Sequence, residues 1–164
     1  MGSAKLIFFC GKMAAGKSTL ARQLARDREA ILLVQDEFLE RLFPVEILDI
    51  PAFVKYSTRL CEALESHICA LLSRGVSVVL DFPANTTTQR AWFRRLFERA
   101  GVEHELHYIN VPDDLCKKQL KERSASLPEG APFTTDAEFD AITRYFRPPA
   151  LEEGFNVIEH SRAQ

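Results

Sequence analysis

Positive charge is not in excess in this sequence. Lysine and arginine number 21 against 23 aspartates and glutamates, a net charge of −2. That excludes the global basic field that gathers nucleic acid, so a nucleic-acid end could be handled only through a local basic cleft. Long hydrophobic runs are also missing, and no apolar stretch approaches a membrane span. Cysteine is sparse: Cys10, Cys61, Cys69 and Cys116 show no C-x-x-C spacing, and each lies in or beside an apolar run. They read as reduced core thiols of a cytoplasmic protein and not as a zinc site. The first residues lack the basic region and long apolar stretch of a signal peptide. Gly2 starts like a myristoylation site, but Leu6 stands where Ser or Thr is needed. Internal repeats, low-complexity tracts and linkers are absent, so residues 1–164 read as one domain.

What is present is a glycine loop. Gly11-Lys12-Met13-Ala14-Ala15-Gly16-Lys17-Ser18-Thr19 fits G-x-x-x-x-G-K-[ST] at every fixed position. The apolar run Lys5 to Cys10 precedes it and reads as a buried strand. Leu20, Ala21, Leu24 and Ala25 follow at helical spacing. Strand, glycine loop and helix together make an anion site from backbone N–H groups and the positive end of the helix. Lys17 is placed to reach β- and γ-phosphates, and the Ser18 hydroxyl to ligate Mg²⁺.

The rest of the chain alternates strands and helices. Ile31 to Gln35 reads as a second strand running into Asp36, and Glu37 to Phe43 as a short helix stopped near Pro44. Pro51 opens a long helix to Arg74, with Phe53, Tyr56, Leu60, Leu64, Ile68 and Leu71 on one face. His67 within it reads as satisfied or solvent-facing. Ser77 to Asp81 is the third strand. Capping-box spacing at Thr86 and Gln89 opens a helix that buries Trp92, Phe93, Leu96 and Phe97 and ends at Gly101. Leu106 to Val111 is the fourth strand, and Pro112 starts a helix to about Arg123. Ser124 to Thr134 holds Pro128, Gly130 and Pro132 and is a loop, long enough to suggest function or mobility. Thr135 and Glu138 form a second capping-box pattern before a helix ended by Pro148. Phe155 to Glu159 is the fifth strand. The alternation predicts an α/β fold in three layers. We expect a P-loop NTPase fold, with a parallel five-stranded sheet of order 2-3-1-4-5. Ligands in such sheets bind at the carboxyl ends of the strands, where the glycine loop, Asp36 and Asp81 all fall.

Phosphoryl transfer needs positioned phosphates, a metal, charge neutralisation and an oriented hydroxyl. Asp36 suits a general base facing the γ-phosphate from the acceptor side, or an N-cap of the helix that follows. Asp81 suits a Mg²⁺ carboxylate or a ligand for the acceptor hydroxyl. Arg123, with Lys117, Lys118 and Lys121 upstream, suits a cation closing over the phosphates. Arg41 and Arg90 are weaker acceptor-side candidates.

These residues resemble a family. The loop Gly11–Thr19, the strand running into Asp36, the Val-Val-Leu-Asp81 run with Arg90 downstream, and Arg123 before a lid look like the small P-loop kinases. The nearest grouping is the zeta-toxin, chloramphenicol phosphotransferase and polynucleotide kinase type. The run Phe146-Arg147-Pro148-Pro149, followed by Glu152-Glu153-Gly154-Phe155-Asn156-Val157, is similar to a bacterial set of predicted kinases and AAA-domain ATP-binding proteins. The resemblance implies that Asp36 is the acceptor-side base, that Ser18 and Asp81 serve Mg²⁺, and that Arg123 is the lid arginine. It departs at position 39, a Leu where the family usually has Arg, with Arg41 as the nearby substitute. The expectation is an ATP- and Mg²⁺-dependent phosphotransferase acting on a small-molecule hydroxyl. Residues 37–74 would form its acceptor side and 117–147 its lid side. Two alternatives stand beside it: a nucleotide-dependent switch read by a protein partner, and a kinase of nucleic-acid 5′ ends.

Overall fold

The computed structural model describes residues 3–161, so Gly2 lies outside the described residues. At its centre is β1, Lys5–Cys10, whose residues from Leu6 to Cys10 are fully buried. Double-sided burial follows from its composition, a continuous apolar run without the polar alternation of a half-exposed strand. The sheet order is β2-β3-β1-β4-β5, with every pairing parallel. Here β2 is Ile31–Val34, β3 Val78–Pro83, β4 Glu103–Asn110 and β5 Val157–Ser161. This is the three-layer P-loop NTPase arrangement expected from the sequence.

Alternate side chains of β1 feed opposite cores. Leu6, Phe8 and Cys10 face α3 (Ile50–Ser73) and α4 (Thr87–Ala100). Phe8 stacks on Phe93 of α4 at 4.5 Å between ring centroids. Ile7 and Phe9 face α1 (Lys17–Asp27), packing with Ala21 and Ala25. The small alanines let α1 lie close against the sheet. A third cluster joins Ala15 of the glycine loop to Ile109 and Val111 after β4, to Cys116 and Leu120 of α5 (Asp113–Ser124) and to Phe139 of α6 (Asp136–Thr143). This cluster ties the loop's position to the helices on either side of residues 125–135. The aromatic residues of α4 are core, as the sequence suggested.

Local chemistry sets the ends of the helices. Asp49 caps α3 by accepting from the Ala52 N–H at 2.9 Å. Gly75, at φ 84°, takes the left-handed position just past α3, and its N–H bonds the Leu72 carbonyl at 3.0 Å. The Thr135–Glu138 capping box is complete. At α4 the pattern is displaced: Thr86 accepts from the Gln89 N–H, but the Gln89 side chain reaches the Asn85 N–H at 2.8 Å. The helix after β2, α2, spans Gln35–Leu42 and begins two residues earlier than the sequence suggested. Asp36 therefore lies in the first helical turn and not at the strand end, and Val34 is the N-cap residue. Asp36 and Glu37 in that turn complement the positive end of the helix.

The four cysteines are free thiols. Burial pushes the Cys10 thiol up to about 11 and the Cys61 thiol to about 12, so both stay protonated and unreactive. His67 is exposed on α3. No helix of the described residues is long and apolar enough to cross a membrane.

One buried ionic cluster stands apart from the carboxyl edge. Glu105 on β4 accepts two hydrogen bonds from Arg28, at 3.0 and 3.1 Å, and one from Lys5 at 3.3 Å. His107 Nε2 lies 3.0 Å from the same carboxylate, and its Nδ1 lies 2.8 Å from Nε2 of His160 on β5. An ionised Glu105 makes His107 Nε2 the donor, which leaves Nδ1 to accept from His160. Burial alone would raise the Glu105 carboxyl, but Arg28, His107 and Lys5 outweigh it and hold it at about 2. A carboxylate held below its ordinary 4.5 stabilises the fold above that value and loses this contribution as pH falls through about 2. Stability should therefore decline as pH drops from 4.5 towards 2. In Glu105→Gln that slope should be shallower, as urea midpoints across the range would show. Identical slopes in the two proteins would contradict this.

Candidate functional site: a phosphate-binding loop at the carboxyl edge of the sheet

The loop from Gly11 to Gly16 leaves the carboxyl end of β1 and feeds directly into α1. Gly16 is the N-cap of α1, at φ 109°, and no side chain caps the helix. No acidic residue occupies the first turn either. The first N–H groups of α1 are thus left for an external anion. Gly16 needs its left-handed backbone, which a side chain would strain. Gly11 answers a different constraint. A Cβ there would come within 3.2 Å of the Ile109 carbonyl oxygen, so the loop runs too close to β4 for a larger residue. Ala14 holds φ 63°, and Gln119 of α5 donates to its carbonyl at 2.6 Å. Lys12 is paired with Asp113 at 2.5 Å. Met13 and Ala14 pack against the third core cluster, and Thr19 is exposed in the first turn of α1.

Asn85, which the sequence did not single out, fastens the loop from the far side. Its Oδ1 accepts from the Gly11 N–H at 2.9 Å, and its carbonyl accepts from the Arg147 N–H at 2.8 Å. One residue, through its side chain and its backbone, thereby joins the start of the glycine loop, the β3–α4 connection and the C-terminal segment. Its only sequence signal was its place two residues after a strand ending in Asp-Phe-Pro.

Lys17 lies inside the loop, and its ammonium donates to the Gly11 carbonyl. Burial lowers its pKa, the charges of Asp81 and Asp36 oppose that, and Arg123 adds to the lowering. The same four-way coupling appears at Asp36. Its carboxyl is raised by loss of hydration and then by Asp81, against the pull of Lys17 and Arg123. Asp36 keeps solvent access, so this loss of hydration is partial. Lys17, Asp36, Asp81 and Arg123 thus come from four separate elements and act on one another's charge at one edge.

Asp81 pairs in register with Val34, so it lies inside β3, two residues short of the strand end. Its Oδ2 accepts from the Ser18 hydroxyl at 2.8 Å. A hydroxyl and a carboxylate this close make a hard oxygen pair of the kind that suits Mg²⁺. Two protein oxygens fit a cation that keeps its remaining positions for water and phosphate. Ser18 and Asp81 would hold the ion, which would supply positive charge to offset that of a bound polyphosphate.

Two arginines part company. Arg41 is exposed in the last turn of α2. Arg90 is fully buried, which corrects the expectation that it contacts an acceptor. Its guanidinium donates to Glu153 at 2.8 and 3.2 Å, to the Ala84 carbonyl at 2.9 Å and to the Arg147 carbonyl at 2.8 Å. These bonds anchor the segment before β5 against α4. Gln35, next to Asp36, was also not singled out by the sequence. It is only 2% exposed, and its Nε2 has no hydrogen-bond partner.

The comparisons with known proteins fall on this framework. The family described as AAA domain matches residues 6–149. Among curated proteins none matches this sequence. A presumed kinase from Chloroflexus aurantiacus is 19% identical, with TM-score 0.76 over 98% of this chain and 89% of that one. Kti12 of Chaetomium thermophilum, solved with ADP-AlF3, is 16% identical, with TM-score 0.67 over 95% and 88%. The Mycobacterium tuberculosis APS kinase CysC, solved with AMPPNP and APS, is 14% identical, with TM-score 0.62 over 100% and 91%. At these identities the likeness establishes the fold they share.

The Asn85 contact yields a direct test. Asn85→Ala should keep the fold, because a single hydrogen bond contributes about 0.5–1.5 kcal/mol. It should weaken nucleotide binding by roughly 2- to 10-fold, by loosening the loop's first glycine. Fluorescent-nucleotide titration beside a thermal melt would check it, and unchanged affinity would remove Asn85 from the site. With its glycine loop and parallel sheet in place, the chain belongs to the AAA-domain family.

Proposed function

We propose that this protein is an ATP-dependent phosphotransferase, moving the γ-phosphate to a hydroxyl of a small-molecule acceptor with Mg²⁺. The observation that carries it is the meeting of Lys17, Asp81, Asp36 and Arg123 at the mouth of the glycine loop. A binding module needs the loop. It does not need a second, free carboxylate beside it.

In this reading the N–H groups of Gly11 to Thr19 cradle the phosphates and Lys17 spans the β- and γ-phosphates. Ser18 and Asp81 hold Mg²⁺. Asp36 serves as general base, and its raised pKa moves it towards the range in which a carboxylate accepts and passes on a proton. The acceptor oxygen attacks the γ-phosphorus, its proton passes to Asp36, and the bond to the β–γ bridging oxygen breaks. ADP leaves with that electron pair. Lys17 and Arg123 offset the charge that develops. Arg41, two turns of sequence away from the base at most, would touch the acceptor from α2. Residues 125–135, between Arg123 and α6, would act as a lid that excludes water from the γ-phosphate. ATP is the expected nucleotide, and a cytoplasmic setting supplies it. The kinase neighbours and the nucleotide complexes among them support this reading.

The two carboxylates separate in one experiment. Asp36→Asn keeps shape and loses the base, so the transfer rate should fall by roughly 10²–10⁴-fold. Extra Mg²⁺ should not restore it. Asp81→Asn should raise the Mg²⁺ requirement, and excess Mg²⁺ should recover part of the rate. A Mg²⁺ titration of phosphate transfer for both variants decides. Recovery of the Asp36 variant and not the Asp81 variant would exchange the two roles.

A further inference from the structure

One bend of the glycine loop is made by a residue that is not glycine. The Ala15 N–H donates to the Lys12 carbonyl at 3.1 Å, so residues 12–15 close a β-turn. Ala14 stands third in that turn with φ 63°, while Met13 keeps a negative φ. This is the pattern of a type II turn, whose third position suits glycine. Alanine is strained there, because its Cβ crowds the backbone. The strain is met from outside the loop. Gln119 Nε2 of α5 donates to the Ala14 carbonyl at 2.6 Å, across 105 residues of chain.

That bond fixes more than one atom. The Ala14–Ala15 peptide is planar and trans, so its carbonyl and its N–H point opposite ways. Gln119 holds the carbonyl end, and the Lys12 carbonyl holds the N–H end. If Ala14 relaxed towards negative φ, this peptide would turn and carry the entry to Gly16 and the first N–H groups of α1 with it. The same helix grips the loop at two further points. Asp113 pairs with Lys12 at 2.5 Å, and Cys116 and Leu120 pack with Ala15. These positions recur at helical spacing, so one face of α5 lies along the loop. Arg123, whose charge acts on Lys17 and Asp36, follows Gln119 by one turn on that face.

Resting on the nucleotide site of the reading above, we propose that Gln119 is a positioning residue. Its carboxamide stabilises the left-handed turn at Ala14 and so keeps the phosphate loop formed before a nucleotide arrives. A loop that is only partly in its competent form binds with an affinity reduced by that fraction, so the effect of Gln119 appears in nucleotide affinity.

The test is a rescue. Gln119→Met keeps the length of the side chain and removes the donor. Ala14→Gly removes the strain that the donor offsets, giving up a methyl contact with the third core cluster. Hydrogen exchange of the Ala15 N–H, followed by NMR without nucleotide, reads the turn. Titration with Mg-ADP reads the site. Gln119→Met should speed the exchange and weaken Mg-ADP, each by roughly 3- to 10-fold, with the fold intact by circular dichroism. Adding Ala14→Gly should bring both back to within about twofold of the wild type. A glutamine that merely packed against the loop would not be rescued by a glycine. Unchanged exchange or unchanged affinity in Gln119→Met would overturn the inference, as would losses that Ala14→Gly fails to restore. The broader reading is judged apart. A wild type that takes up no Mg-ADP would sink the nucleotide site, and the role of Gln119 with it. Loss and rescue as described, with no phosphate passed to any acceptor, would count against the kinase and leave the role of Gln119 standing.

Discussion

The structure depends on the burial of β1 from both sides. Phe8 and Phe9 point into opposite cores, and neither leaves any surface to water. Burying two such rings contributes about 1.5–3 kcal/mol each by the usual area measure. More important is what that burial immobilises. The loop begins where β1 ends, so an anchored strand delivers Gly11 to a fixed place. From there Gly11 has contact distance to Ile109 on one side and a hydrogen bond to Asn85 on the other. The anion site is backbone, and backbone is only as well placed as the strand that leads to it.

Charge at the site works under tension. Lys17 is half-buried, and loss of hydration disfavours its ammonium there. Arg123 makes this worse, while Asp36 and Asp81 relieve it in part. Asp36 in turn is crowded by Asp81. Lost hydration and nearby like charge move both Lys17 and Asp36 away from their ordinary pKa values. A polyphosphate with its metal would supply negative charge to the lysine and positive charge to Asp81. The Glu105 cluster shows the opposite economy: one buried carboxylate is saturated by Arg28, Lys5 and His107, with nothing left for a ligand. Arg90 behaves the same way. Saturated charges such as these hold this fold together.

The sequence revealed most where chemistry is local. The glycine loop, its flanking strand and helix, the capping box at Thr135 and the strand order could all be read, because each rests on spacing or on topology rules. The end of β2 was misplaced, since Gln35 and Asp36 fit a strand end and a first helical turn equally well on paper. Arg90 was misjudged for a different reason. Its partners, Glu153 and the Arg147 carbonyl, are 63 and 57 residues away in the chain. Asn85 was missed because its partner Gly11 is 74 residues away.

The central claim is that the loop binds Mg-ATP through Lys17 and the N–H groups around it. Calorimetric titration of the wild type and of Lys17→Ala with Mg-ATP addresses it most directly. The account predicts saturable one-to-one binding by the wild type. It predicts binding at least about tenfold weaker in the variant, with an unaltered melting curve when no nucleotide is added. A wild type that takes up neither Mg-ATP nor Mg-GTP, or a Lys17→Ala protein that binds as tightly as the wild type, would contradict it.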